Sequence, residues 1–72
     1  MYITVTRSDD VIVGTGKTPV ESLEDAWTWT HEGDLTTYPC TPMLHKMVLR
    51  YGGDVVYYLD HEGVASVSRL LV

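Results

Sequence analysis

The sequence predicts a single α+β domain, a two-layer sandwich in which an antiparallel sheet carries one or two helices on one face. Three observations support this fold class. Short segments rich in β-branched and aromatic residues stand near both ends of the chain, and two threonine–proline pairs mark helix starts between them. A chain of 72 residues also has room for one hydrophobic core only. We therefore expect residues 1–72 to form one domain.

The first predicted element is a β-hairpin. Residues 2–6 alternate β-branched and aromatic side chains with threonine, residues 7–10 are polar, and residues 11–13 are β-branched again. Gly14 and Gly16 follow, and we expect them to relax the backbone in a turn between the second strand and a helix.

The first predicted helix begins at the segment Thr18-Pro19-Val20-Glu21. A threonine cap, a proline at the first helical position and a glutamate three residues after the cap together make a capping box. At 100° per residue one stripe is predicted to pack on the sheet and a second to face water. The packing stripe is Val20, Leu23, Ala26, Trp27 and Thr30, and the solvent stripe is Glu21, Glu24, Asp25 and Thr28. Trp29 lies about 180° from Val20, which predicts that it stands away from the packing stripe.

The second half of the chain is predicted to contain a loop, a second helix and a C-terminal hairpin. Residues 31–40 are assigned to the loop, and Thr41-Pro42 repeats the cap signature before residues 43–51. A strand over residues 46–51, turned by Gly52-Gly53, is the competing interpretation. Residues 55–59 and 64–72 are predicted strands joined by a turn. The predicted order is ββααββ, with ββαβββ as the alternative. The predicted packing face of the second helix is Met43, Leu44, Met47, Val48 and Tyr51.

The charge balance excludes several kinds of partner. Five basic and ten acidic residues give a formal net charge of -5, and the excess lies in residues 1–36. Such a charge repels nucleic acid and anionic lipid, so we expect no direct DNA or RNA binding and no membrane binding. The chain contains no apolar run of membrane-spanning length and no secretory signal pattern, which predicts a cytoplasmic protein. A merely solubilising acidic surface is the alternative interpretation.

Motifs for catalysis and cofactor binding are incomplete in this sequence. The segment Gly14-Thr15-Gly16-Lys17-Thr18 resembles a phosphate-binding loop, but Val11 occupies the position of its first glycine. The three histidines and the single cysteine lack the spacings of a preorganised metal site. A thiol enzyme using Cys40 and His45 is a third hypothesis. We expect no enzyme activity, no cofactor and no metal.

Aromatic and acidic side chains form the predicted protein-binding site. Tyr57 and Tyr58 are adjacent in a strand, so their side chains point to opposite faces and at most one enters the core. Exposed aromatics are enriched at interface hot spots, and carboxylates steer a basic partner. The candidate residues are Glu21, Glu24, Asp25, Trp29, Glu32, Asp34, Tyr57 and Tyr58.

The opening of the chain resembles a known family. Two extended segments followed by Thr18-Pro-Val-Glu-Ser-Leu-Glu-Asp-Ala26 are similar to the strand–strand–helix opening of HicB-type antitoxins, over about the first 30 residues. Those antitoxins bind and block a small toxin, and they usually carry a separate DNA-binding segment at the C-terminus. No basic C-terminal segment is present here. The size, acidity and ββα opening are also similar to small phage-encoded inhibitors such as anti-CRISPR proteins and RNA polymerase inhibitors.

These observations predict a non-enzymatic protein-binding inhibitor, encoded by a phage or other mobile element and anti-CRISPR-like. Its acidic face would block the nucleic-acid-binding surface of a host complex, whose basic surface is the expected partner. The alternative is a HicB-like antitoxin or a self-associating structural subunit, for which a second copy of the chain is the partner.

Overall fold

A computed structural model describes residues 1–31 and 33–68 of the chain. The α+β class is confirmed, and so are the general order of elements and the helical form of the segment after Thr41. The elements are β1 (Tyr2–Thr6), β2 (Ile12–Gly16), α1 (Pro19–Trp29), β3 (Leu35–Pro39), α2 (Pro42–Tyr51), a 3₁₀ turn (Gly52–Asp54), β4 (Tyr57–Leu59) and β5 (Ala65–Val67). The part of the predicted last strand at residues 69–72 lies outside the described residues.

The main sheet has three antiparallel strands in the order β2-β1-β3. The third strand, β3, lies in the segment that the sequence analysis assigned to a loop, so the order is ββαβαββ. Thr6 pairs with Leu35, and Tyr2 pairs with Pro39. The short strand was missed because threonine, glycine and proline around it are typical of loops, whereas an edge strand tolerates them. Strands β4 and β5 form a separate hairpin, which a bridge between Cys40 and Ala65 joins to the end of β3.

The two helices cover opposite faces of the three-stranded sheet. The Thr4 hydroxyl is hydrogen bonded to Ser22 of α1 at 2.8 Å, so this face of β1 lies under α1. Ile3 and Val5 point to the other face, because successive side chains of a strand alternate. There they join Leu44 of α2 in the main core. One helix therefore covers one face as predicted, and the second helix lies on the face that the two-layer prediction had left to solvent.

Small residues bring α1 unusually close to β2. A Cβ atom added at Gly14 would lie 2.7 Å from the Ala26 nitrogen, and one added at Gly16 would lie 2.6 Å from the Ser22 nitrogen. Ser22 and Ala26 are the buried residues of α1, while Val20 and Trp27 are exposed. The predicted packing stripe of α1 was therefore correct for Ala26 and wrong for Val20 and Trp27, because the packing face is centred on Ser22 and Ala26. The glycines belong to β2, and they permit this close approach instead of forming a turn.

Local capping signals are confirmed at both helices. The Thr18 hydroxyl accepts from the Glu21 N–H at 3.1 Å, and the Glu21 carboxylate accepts from the Thr18 N–H at 3.2 Å. The Thr41 hydroxyl accepts from the Leu44 N–H at 3.2 Å. Helix α2 ends at Gly52, whose φ of 77° lies in the left-handed region that glycine adopts without strain.

The main core lies between the sheet, α2 and the β4–β5 hairpin. Its buried members are apolar or small; they lie in β1, β2, α2 and β5, and at Cys40 and Val55, which directly follow β3 and the 3₁₀ turn. They are Ile3, Val5, Ile12, Cys40, Leu44, Val48, Val55 and Ala65. Within the described ranges, no helix has the length and apolar character needed to cross a membrane.

Candidate functional site

An open groove of about 520 Å³ runs along the outer edge of β2. Its floor is formed by residues 12–15 of that strand. Helix α1 supplies Asp25 and Trp29 to one wall, and α2 supplies Val48 and Leu49 to the other. The groove exists because the two helices cover opposite faces of the sheet and both extend past its edge strand. Its lining is mainly apolar, which is typical of sites that hold an apolar side chain of a ligand.

Two large apolar side chains form the rims of the groove. Trp29 is 77% exposed and Leu49 is 67% exposed. On the helical wheel Trp29 lies three residues after Ala26, so it continues the face that packs on the sheet. The sequence analysis predicted its exposure correctly but placed it opposite the packing face. It is exposed because it extends beyond the edge of β2, where no strand of the described residues covers it.

Polar contacts of Thr15 connect both walls to the floor. The Thr15 N–H donates to the Asp25 carboxylate at 3.0 Å, and the Thr15 hydroxyl donates to the Tyr2 carbonyl oxygen at 3.1 Å. The hydroxyl has one hydrogen, so it accepts the remaining contact, and the His45 Nδ1–H donates to it at 2.6 Å. Asp25 is therefore half-buried and structural, which corrects its assignment to the solvent stripe. This network fixes α1 and α2 relative to β2.

The edge of β2 is closed to a further strand. The Thr15 N–H is already bonded to Asp25, and Gly53 of the 3₁₀ turn lies against the carbonyl oxygen of Ile12. A Cβ atom at Gly53 would overlap that oxygen. Strand addition needs free backbone groups, so the edge of β2 does not favour that mode of binding.

The other predicted acidic residues do not gather at the groove. The Glu21 carboxylate accepts from the backbone of Lys17 and Thr18, so it caps α1. Glu24 is exposed on the outer side of the same helix. Asp34 lies at the far edge of the sheet, where its carboxylate is 3.6 Å from the Arg7 guanidinium. Glu32 lies outside the described residues. Of the eight candidates, the structure brings Asp25 and Trp29 together.

The two adjacent tyrosines point to opposite sides, as predicted. Tyr57 is half-buried against the main core, and Tyr58 is 51% exposed. The Tyr57 hydroxyl donates to the Asp10 carboxylate at 2.5 Å. Burial, together with this hydrogen bond and the negative charge of Asp10, raises the pKa of Tyr57 above its ordinary value. Tyr57 therefore has a structural role, and Tyr58 is the displayed member of the pair.

We expect the raised pKa of Tyr57 to make the fold sensitive to alkali. A group whose pKa is higher in the folded state contributes stability below its unfolded pKa of about 10, and that contribution is lost as the pH rises further. The free energy of unfolding, measured by urea denaturation from pH 7 to 11, should fall above pH 10 in the native chain. The fall should be smaller in Tyr57→Phe. The control Tyr58→Phe keeps the bond to Asp10 and should behave as the native chain; an equal fall in all three proteins would contradict this origin.

Cys40 and His45 are not arranged as a thiol enzyme requires. Cys40 is buried, and burial raises the pKa of its thiol, which is the opposite of nucleophile activation. His45, its proposed base, is hydrogen bonded through Nδ1 to Thr15. Across residues 1–31 and 33–68, no group of three or more histidine, cysteine, aspartate or glutamate side chains is placed to hold a metal ion.

Comparison of the chain with models of protein families, with curated proteins and with solved structures finds no match in any of the three. The resemblance to HicB-type antitoxins and to phage inhibitors therefore stays a prediction.

The sequence analysis missed Leu49 as a site residue, although a signal was present. Leu49 lies outside the predicted packing face of α2, and a leucine off that face of an amphipathic helix is a candidate for contact with a partner. The contribution of Thr15 and His45 could not be foreseen, because 30 residues separate them in the chain.

Proposed function

We propose that this chain is a non-enzymatic protein-binding inhibitor, which takes an apolar side chain of a basic partner into the groove between Trp29 and Leu49. The observation that carries the proposal is the open apolar groove beside Trp29. Tryptophan is among the residues most enriched at binding hot spots, because it supplies a large contact area at small cost in conformational entropy. A tryptophan that adds nothing to the core is free for this role.

Charge complementarity indicates a basic partner. The formal net charge is -5, and Glu24 on the outer side of α1 is exposed and makes no hydrogen bond or ion pair within the described part of the chain. Asp25 adds a carboxylate to the groove itself. A basic surface that normally binds nucleic acid presents lysine and arginine together with exposed apolar side chains. By covering such a surface, the chain would exclude the phosphate backbone, as expected for an anti-CRISPR-like inhibitor of a host complex.

The proposal is tested with four tagged baits in a bacterial lysate. The baits are the native chain, Trp29→Gln and Glu24→Lys, with Trp27→Gln as the matched control on the same helix. Captured proteins are quantified by mass spectrometry at low and high salt, and again in the presence of competing DNA. We expect a nucleic-acid-binding protein whose recovery falls at least tenfold with Trp29→Gln, falls with Glu24→Lys and salt, and is lost to DNA competition.

Two results would contradict the proposed function. One is a set of captured proteins that is the same for the native chain and Trp29→Gln. The other is a partner that Trp29→Gln loses but that competing DNA and salt leave bound, because such a partner does not use a nucleic-acid-binding surface.

A HicB-like antitoxin role is the second candidate. The exposure of Tyr58 favours it, because the displayed side of the β4–β5 hairpin offers a tyrosine for burial against a small cognate protein. Such a partner would be retained at high salt and lost with Tyr58→Ala, whereas Trp29→Gln would have no effect.

A further inference from the structure

We propose that the outer edge of β3 and the adjoining side of α1 form a homodimer interface, in which two copies join their sheets into one of six strands. This interface lies on the far side of the sheet from the groove, so it is independent of the proposed function. Among the strands of residues 1–31 and 33–68, β3 is an edge strand with a bridge to Ala65 only at its end, and β2, the other edge, is already closed by Asp25 and Gly53. Unpaired strand edges are templates for pairing with another chain.

The register of β3 makes its open edge complementary to itself. Arg7 N–H donates to the Asp34 carbonyl oxygen, and Cys40 N–H donates to that of Met1, so the even-numbered residues between them bond to β1. Leu35 and Thr37 therefore direct their N–H and C=O groups away from the sheet. If a two-fold axis passes through Thr36, Leu35 of each copy pairs with Thr37 of the other copy, which gives two such pairs. This arrangement makes four backbone hydrogen bonds and needs no other partner.

An apolar flank of α1 stands on the same side as this edge. At 100° per residue, Leu23 and Trp27 lie on the opposite side of α1 from Asp25 and Trp29, which face the β2 edge. Val20 extends this flank; it is 64% exposed and Trp27 is 55% exposed. Helix α1 lies mainly over β2 and β1, so it leaves much of β3 uncovered on that face. Two copies joined at β3 would bring their two flanks together above the paired strands.

The available area indicates a dimer that uses both features. The molecule measures 31 × 24 × 21 Å, so one side of it offers roughly 500 to 750 Å², whereas a specific interface of standard size buries about 800 Å² per partner. A strand edge alone falls well short of this. The edge together with the Val20–Leu23–Trp27 flank would occupy most of one side of the molecule.

A cysteine placed on the proposed two-fold axis tests the register directly. The Thr36 residues of the two copies would form a pair without mutual backbone hydrogen bonds, with Cα atoms about 4.5 Å apart, within the range of a disulfide. Thr36→Cys, oxidised with oxidised glutathione, should give a covalent dimer. Leu35→Cys is the control, because Leu35 faces Thr37 of the other copy. The Leu35 residues of the two copies lie about 7–8 Å apart, which is too far for a disulfide. Both variants are made in a Cys40→Ala background.

Sedimentation equilibrium from micromolar to millimolar concentration tests the helix flank. We expect Trp27→Gln to raise the dimer dissociation constant at least tenfold and Trp29→Gln to leave it unchanged. Salt should strengthen the dimer, since each copy carries a net charge of -5. A chain that is monomeric at millimolar concentration would overturn the proposal. So would a dimer that Trp29→Gln weakens, or one in which Thr36→Cys crosslinks no better than Leu35→Cys. We expect salt to strengthen the dimer and Trp27→Gln to weaken it, whereas salt and Trp29→Gln should weaken binding of the partner in the proposed function. The two proposals can therefore fail separately.

Discussion

Gly14→Ala is expected to lower the free energy of unfolding by about 3 kcal/mol, which is a large part of the total for a domain of this size. The added methyl group would lie 2.7 Å from the nitrogen and 2.9 Å from the Cβ of Ala26, and it would overlap the carbonyl oxygen of Ser22. These are mainly backbone atoms of α1, which cannot rotate away as a side chain does. The helix would have to move away from β2, and the contact of Asp25 with Thr15 would be strained or lost.

The matched control is Gly33→Ala, where an added Cβ meets no heavy atom of the described residues within 4 Å. We expect a change within about 0.5 kcal/mol there. Urea denaturation followed by far-ultraviolet circular dichroism measures both variants, because the two tryptophans are exposed and do not report on the core. A Gly14→Ala variant within 1 kcal/mol of the native chain would mean that α1 does not approach β2 so closely.

Leu44→Ala is the second substitution with a large expected effect. Leu44 is fully buried at the centre of the main core, between the sheet and α2. Removing its side-chain atoms loses their transfer free energy and leaves a cavity, which together cost about 3 kcal/mol. Leu49→Ala makes the same chemical change in the same helix at a residue that is 67% exposed. We expect it to cost less than about 1 kcal/mol.

The same two variants separate stability from binding. Leu49→Ala should fold as the native chain does and still lose recovery of the partner, because it removes one rim of the groove. Leu44→Ala should lose stability, and at a temperature where it remains folded it should keep binding. If denaturation shows equal losses for both leucines, the assignment of Leu44 to the core and Leu49 to the rim is wrong.

The parts of the fold that depend on local chemistry were predictable from the sequence. The capping box of Thr18 and Glu21 involves residues three apart, so its hydrogen bonds follow from the sequence pattern alone. The same is true of Thr41 and of Gly52, which start and end α2. The alternation of a strand predicts that at most one of Tyr57 and Tyr58 enters the core, and Tyr57 is the one that does.

The packing face of α1 was not predictable, because it is not the most apolar face of the helix. A wheel that ranks residues by hydrophobicity selects Val20 and Trp27, but the two glycines of β2 select the smallest side chains, Ser22 and Ala26. β3 was missed for a related reason. Its stability comes from pairing with β1, which is a contact between distant segments and leaves no local signal. The groove follows from the seating of α1 on β2 and from the position of α2 on the opposite face of the sheet, so it could not be located from the sequence.

The close seating of α1 on glycines has a consequence for how this protein can change over time. Since the smallest residues hold the helix in place, its largest residues, Trp27 and Trp29, carry little of the folding free energy. Substitutions at these two positions would alter what the surface recognises while leaving the scaffold intact. When a partner mutates and binding is lost, single substitutions on this helix can restore binding. Each of these variants would still fold.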